Sequence, residues 1–111
     1  MQDTELKQVV VLGATGSIGL STLDVLNRHT DRFRLHTITA HRSVEKMLEL
    51  VLAHEPAQAV MACPDAAEQL AARLPSEFST RVLGGAQALI DAASAPEVDV
   101  VMAAIVGFAG L

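Results

Sequence analysis

Four apolar residues, Val9-Val10-Val11-Leu12, run straight into Gly13-Ala14-Thr15-Gly16-Ser17-Ile18-Gly19 and on into Leu20-Ser21-Thr22-Leu23. Few features restrict a fold more. An unbroken, largely β-branched run suits a strand buried on both faces, as in a parallel sheet. Glycine then recurs at every third position, and apolar residues resume at helical spacing through Ile18, Leu23, Val25 and Leu26. Strand, glycine turn and helix start in this order make a phosphate site, because free backbone N–H groups point at a spot that no side chain obstructs. Each glycine has its own expected task. Gly13 turns the chain off the strand, where φ can be positive; Gly16 keeps a Cβ out of the path of a pyrophosphate; Gly19 lets the helix lie against the strand. Thr15 and Ser17 offer hydroxyl donors, with a plain helix N-cap as the competing reading of Ser17. A ligand-free strand–helix turn is the competing reading of the whole run. No Lys-Ser or Lys-Thr follows the glycines, so the pattern is not a P-loop.

Beyond this turn the pattern keeps alternating. Strands are expected at Gln8–Leu12, Phe33–Thr39, Gln58–Ala62, Thr80–Leu83 and Val98–Ala103, with Phe33, Leu35 and Thr37 alternating along the second. Helices are expected at Ser17–Arg28, at Val44–Ala53, from Pro64 onward through Leu74, and at Ala86–Ala93. Val44, Met47, Leu48, Val51 and Leu52 recur at spacings of three and four and are expected to face inward. Pro56 lies just past one helix and Pro64 in the first turn of another, positions proline tolerates. Strand–helix alternation with short connections predicts an α/β fold: a doubly wound parallel sheet, Rossmann-like, in three α/β/α layers. A chain of 111 residues, half of them hydrophobic, forms one domain at most, residues 1–111, with enough apolar material for a core. Right-handed crossovers then gather Gly13–Ser17, Ala40–Ser43, Ala62–Pro64 and Ala103–Gly107 along one edge.

Composition removes several function classes. The net charge of −5 argues against nucleic-acid or anionic-membrane partners. A single cysteine, Cys63, leaves no internal disulfide framework and no multi-cysteine zinc site. His29, His36 and His54 lack metal-ligand spacing and read as structural or exposed. Glu45, Glu49 and Glu68 suit solvated helix faces. Met1–Gln8 is polar and mixed in charge, unlike a signal peptide, and no apolar run reaches membrane-spanning length, so a cytoplasmic chain is expected. Val100 to Leu111 carries no charge at all, unlike a surface terminus, and is expected to continue into a larger enzyme of which this is an incomplete portion.

The cofactor can be narrowed. In NAD-binding units an Asp or Glu about 20 residues past the glycines takes the ribose hydroxyls. Here that count reaches Thr39 and Ala40, followed by His41-Arg42-Ser43; the first acid is Glu45. Arg42 brings a permanently charged donor fork and Ser43 a hydroxyl, the chemistry a 2′-phosphate requires. NADPH is therefore the expected cofactor, with a solvated loop charge as the competing reading of Arg42. His41 could stack on adenine or lie idle.

The run Gly13-Ala-Thr-Gly-Ser-Ile-Gly-Leu-Ser-Thr-Leu-Asp-Val-Leu26 closely resembles the 1-deoxy-D-xylulose 5-phosphate reductoisomerase family. Its Ser-Ile-Gly-x-Ser-Thr-Leu extension separates it from the generic glycine turn of semialdehyde dehydrogenases. Val101-Met-Ala-Ala-Ile-Val-Gly107, with Ala109-Gly110-Leu111, is similar to that family's strand and loop beside the nicotinamide. The resemblance implies that Thr15, Gly16, Ser17 and Ile18 contact the pyrophosphate and neighbouring ribose. It places His41, Arg42 and Ser43 at the family's Gly-Lys-Asn type segment on the 2′-phosphate, with all three identities changed and the charge kept. Ala103, Ala104, Ile105 and Val106 would line the nicotinamide end.

For the whole enzyme, the resemblance implies NADPH-dependent conversion of 1-deoxy-D-xylulose 5-phosphate to 2-C-methyl-D-erythritol 4-phosphate in non-mevalonate isoprenoid biosynthesis. It further implies Mg²⁺ or Mn²⁺ held by ligands outside this chain, a phosphosugar substrate and a homodimer. No catalytic or metal-binding residue is then expected among these residues, which alone should turn nothing over. Two other readings compete: an NADP-dependent semialdehyde or acyl-phosphate reductase domain, whose nucleophilic cysteine would have to lie elsewhere because Cys63 comes too early, and a non-catalytic dinucleotide-sensing module.

Overall fold

The computed structural model describes residues 7–103, in which strands and helices alternate throughout: β1 (Lys7–Leu12), α1 (Ser17–Arg28), β2 (Phe33–Ala40), α2 (Val44–His54), β3 (Gln58–Met61), α3 (Pro64–Arg73), β4 (Arg81–Gly84), α4 (Ala86–Ala93) and β5 (Val100–Ala103). The strands form one sheet in the order β4-β3-β2-β1-β5, and every pairing is parallel. From β1 to β4 the chain steps in one direction, so right-handed crossovers put α1, α2 and α3 on one face. The return from β4 to β5 passes beyond β1 and puts α4 on the other. The expected α/β doubly wound, Rossmann-like sheet is the observed fold, and β1 is the strand where its winding reverses.

Burial explains why β1 reads as a continuous apolar run. Val9, Val10 and Val11 are all fully buried, since both faces of a central parallel strand are covered. Val9 and Val11 join Leu23, Leu26, Ile38, Met47, Val51, Met61 and Leu70 in a core between the sheet and the three helices. Side chains of this size contribute about 1.5–3 kcal/mol each on burial.

Some expected inward positions face out. Val25 is exposed while Leu23 and Leu26 are buried, because successive helical residues turn by about 100° and Val25 falls outside the stripe that Leu23 and Leu26 share. Leu52 is exposed for the same reason, one step past buried Val51. Residue Val98 precedes β5, which begins at Val100.

The alternation expected along β2 breaks at a bulge. Val9 pairs with Leu35 but Val10 pairs with Thr37, so His36 is an extra residue and the facing of β2 reverses beyond it. Ile38 and Ala40 thereby enter the helix-side core, and Thr37 turns away from Leu35's face. His36 is buried, with Nδ1 2.7 Å from Thr37 Oγ1 and Nε2 3.2 Å from Glu97 Oε2. Thr37 donates in turn to Gln58 Oε1 at 3.2 Å. The buried polar groups of the bulge are thus partnered, as burial requires, and His36 is structural.

Candidate cofactor-binding site

The site is built where β1 lies between strands reached in opposite directions. Val11 pairs with Ile38 on one side, and Leu12 pairs with Ala103 on the other. Beyond the carboxyl ends of such strands lies the crevice that doubly wound sheets use for ligands.

Gly13 leaves β1 with φ 73°, in the left-handed region that favours glycine. Gly16 N–H donates to Gly13 O at 3.2 Å, closing the turn, and Leu20 N–H donates to Gly16 O at 2.9 Å, starting α1. Gly16 is the N-cap, with no side chain of its own to cap the helix; Ser17 is the first helical residue. The N-cap reading of Ser17 therefore fails. The leading N–H groups of α1 have no acceptor one turn back, the general condition of a helix start. Those groups, the half-buried Thr15 and the exposed Gly16 form one cradle. The side chains of Ser17 and Ile18 lie outside what the structure describes.

Space around the glycines separates their roles. A Cβ on Gly19 would stand 2.5 Å from Gly13 O and 2.6 Å from Ala14 Cα, so α1 packs directly on the turn's backbone. Among the described residues, a Cβ on Gly16 would meet only Gly13 O, at an ordinary 3.7 Å. The protein itself leaves that position open.

Thr39 holds the turn in place, a role not read from the sequence. Gly13 N–H donates to Thr39 Oγ1 at 3.1 Å, and Ala14 N–H donates to Thr39 O at 2.8 Å. The residue at the position of the missing acid is buried and turned toward β1. The only prior signal was a hydroxyl at a strand end; its bond depends on the β1–β2 register. Thr39→Val should leave Gly13 N–H without its acceptor and lower stability by about 1–3 kcal/mol. Denaturant midpoints check this, and an unchanged midpoint would remove Thr39 from the turn.

His41, Arg42 and Ser43 follow β2 and are exposed. Two bonds hold this loop from the β3 side: Ala62 N–H to Ala40 O at 2.9 Å and Cys63 N–H to His41 O at 3.0 Å. Val44 N–H donates to Arg42 O at 2.9 Å, and Ser43 is the N-cap of α2 but makes no side-chain cap bond. Its hydroxyl and the Arg42 guanidinium stand at the helix start. Arg42 Nε–H reaches His41 Nδ1 over a long 3.4 Å, so His41 touches Arg42. Ala103 ends β5 beside Leu12; Ala104, Ile105 and Val106 lie outside the described residues.

The remaining candidates stay apart from this edge or carry no chemistry on it. Cys63 is a free, half-buried thiol whose residue is the N-cap of α3. His54 sits at the end of α2, where burial pushes its imidazole below the ordinary value against a smaller opposing effect of Asp24. Among the described residues, no three His, Cys, Asp or Glu side chains come together to hold a metal ion. No described helix is long and apolar enough to cross a membrane.

A glycine turn at the reversal point of a wholly parallel sheet defines a Rossmann-like α/β chain, the class of fold whose crevice takes ligands at that point. A family model described as 1-deoxy-D-xylulose 5-phosphate reductoisomerase matches residues 9–111, and the chain belongs to that family. It is 51% identical over 106 residues to the 1-deoxy-D-xylulose 5-phosphate reductoisomerase of Idiomarina loihiensis, covering 96% of this chain and 27% of that protein. It is 54% identical over 107 residues to that of Aromatoleum aromaticum, with the same two coverages. A solved structure of the Zymomonas mobilis enzyme in complex with NADPH is similar with a TM-score of 0.83 and 39% identity, over 93% of this chain and 27% of that one. A further reductoisomerase structure, in complex with NADPH, fosmidomycin and magnesium, is similar with a TM-score of 0.84 and 41% identity, over 96% and 26%. The chain thus spans about a quarter of the length of these relatives, in their N-terminal part. Neither the semialdehyde or acyl-phosphate reductase nor the sensing module is favoured by these matches.

Proposed function

We propose that these residues, 1–111, form the NADPH-binding portion of an enzyme that converts 1-deoxy-D-xylulose 5-phosphate to 2-C-methyl-D-erythritol 4-phosphate. The observation that carries the reading is the open position over Gly16, which among the described residues only Gly13 O approaches, at 3.7 Å, at the head of a helix whose N-cap is this glycine. A pyrophosphate fits such a cradle through backbone N–H groups and the Thr15 and Ser17 hydroxyls. Gly13 and Gly19 shape the cradle, and Ile18 lies against the adjoining ribose. Arg42 and Ser43 hold the 2′-phosphate, with His41 beside Arg42. Ala103, which ends β5 beside Leu12, lines the nicotinamide end together with Ala104, Ile105 and Val106.

When bound, NADPH supplies a hydride; this chain's residues hold and aim the donor. A relative solved with NADPH, fosmidomycin and magnesium supports Mg²⁺ as the metal, with Mn²⁺ its alternative on the family resemblance, and a phosphosugar substrate; the reading puts their ligands outside this chain. A cytoplasmic homodimer completes the reading, on the family resemblance alone.

Titration of the intact protein with NADPH and NADH tests the cofactor assignment. Arg42→Ala should weaken NADPH about 10- to 100-fold, the worth of one charge-assisted contact, and leave NADH unchanged. Equal affinity of the unaltered protein for both cofactors would sink the 2′-phosphate assignment.

A further inference from the structure

Positive charge gathers beside the start of α2 beyond what Arg42 alone provides. A hollow of about 370 Å³ there is lined by Arg42, Ser43 and Lys46 from the α2 side and by Gln69 and Arg73 from α3, with Glu45 its one acid. In a chain of net charge −5 with eight Lys and Arg in all, three cations on one hollow are a local reversal of sign. Arg73 comes from the last turn of α3, and its Nη1 stands 3.8 Å from Glu45 Oε2, with both side chains half or more exposed. So long and wet an ion pair contributes little to stability. It leaves a second guanidinium beside the hollow that Arg42 lines, with Glu45 as a weak, easily displaced partner.

A phosphate monoester brings close to two negative charges and three acceptor oxygens at neutral pH. One guanidinium satisfies two of those oxygens and one charge. A second planar fork from another helix matches the remainder better than a hydrated ammonium does. We propose that Arg73 is a specificity-determining residue for the cofactor, exchanging Glu45 for the 2′-phosphate of NADPH, so that Glu45 restrains affinity until the phosphate arrives. This rests on the reading that Arg42 and Ser43 bind the 2′-phosphate.

The test is titration of the intact protein with NADPH and NADH, comparing Arg73→Ala, Glu45→Gln, Arg42→Ala and the remote Arg28→Ala. Arg28 pairs with Asp24 on α1, away from the hollow, and its loss controls for net charge. Arg73→Ala should weaken NADPH about 5- to 20-fold while NADH and the Arg28→Ala variant stay within about twofold. Glu45→Gln should tighten NADPH about two- to fivefold without changing NADH. If Arg42→Ala abolishes discrimination but Arg73→Ala changes neither cofactor, the role of Arg73 is overturned and the 2′-phosphate reading stands. If neither variant alters the ratio of affinities, the underlying reading fails. Equal weakening of both cofactors by Arg73→Ala, or no gain with Glu45→Gln, also overturns the exchange.

Discussion

Gly19→Ala is expected to disrupt the glycine turn although alanine is the better helix former. Inside α1, alanine gains about 0.8–1.0 kcal/mol over glycine in intrinsic propensity. Against this, the added Cβ would stand 2.5 Å from Gly13 O and 2.6 Å from Ala14 Cα. Both obstacles are backbone, and neither can rotate away. Ala14 is fully buried, and its N–H is bonded to Thr39 O, so the turn cannot retreat without breaking its tie to β2. Forcing atoms into a packed interior costs about 1–3 kcal/mol and sometimes more. Here backbone overlap at a doubly anchored turn puts the net loss at about 3 kcal/mol or beyond. Denaturant midpoints of the altered and unaltered proteins decide it; coincident midpoints would show that α1 does not rest on the turn.

Gly16→Ala should do the reverse. Its φ of −79° and ψ of 168° are ordinary extended values, and among the described residues the new Cβ would find only Gly13 O at 3.7 Å. Stability should hold or rise by about 0.4–1 kcal/mol, because alanine narrows the unfolded ensemble. The methyl group would nonetheless stand where the pyrophosphate approaches. Displacing it from two or more charge-assisted N–H contacts should weaken NADPH about 100-fold or more. Calorimetric titration alongside a thermal melt checks both halves. An altered protein that melts normally and binds NADPH normally would mean the cradle is not a phosphate site. Taken together, the two variants separate a glycine needed by the fold from one needed by the ligand, three residues apart.

The fold was legible because period and punctuation agreed along the chain. Every expected strand and helix is present among the described residues, with boundaries shifted by a residue or two. Pro64 opens α3, and Pro56 follows an α2 that ends through Glu55 at φ 49°. Backbone propensity is local, so such signals survive in a one-dimensional reading. Side-chain facing proved harder. Val25 and Leu52 are apolar and fit a helical count loosely, yet only a partner surface defines which stripe is inside. At His36 an extra residue reverses the pleat, and no local pattern announces a bulge whose justification is a set of bonds to Thr37 and distant Glu97.

The candidate site divides along the same line. By itself the sequence determined the order of strand, glycine turn and helix, and the replacement of an acid by Arg42 after β2. Those are choices of residue type at fixed spacing, and chemistry follows from type. The tertiary structure alone decided which glycine faces protein and which faces open space, because Gly16 and Gly19 are identical until α1 is laid on the turn. It also decided that Thr39 points to Gly13 and that Arg73 lies across from Arg42. Both depend on how neighbouring elements align: the parallel register of β1 with β2, and the packing of α3 beside α2. Those alignments are set by burial of the shared core, which no single segment contains.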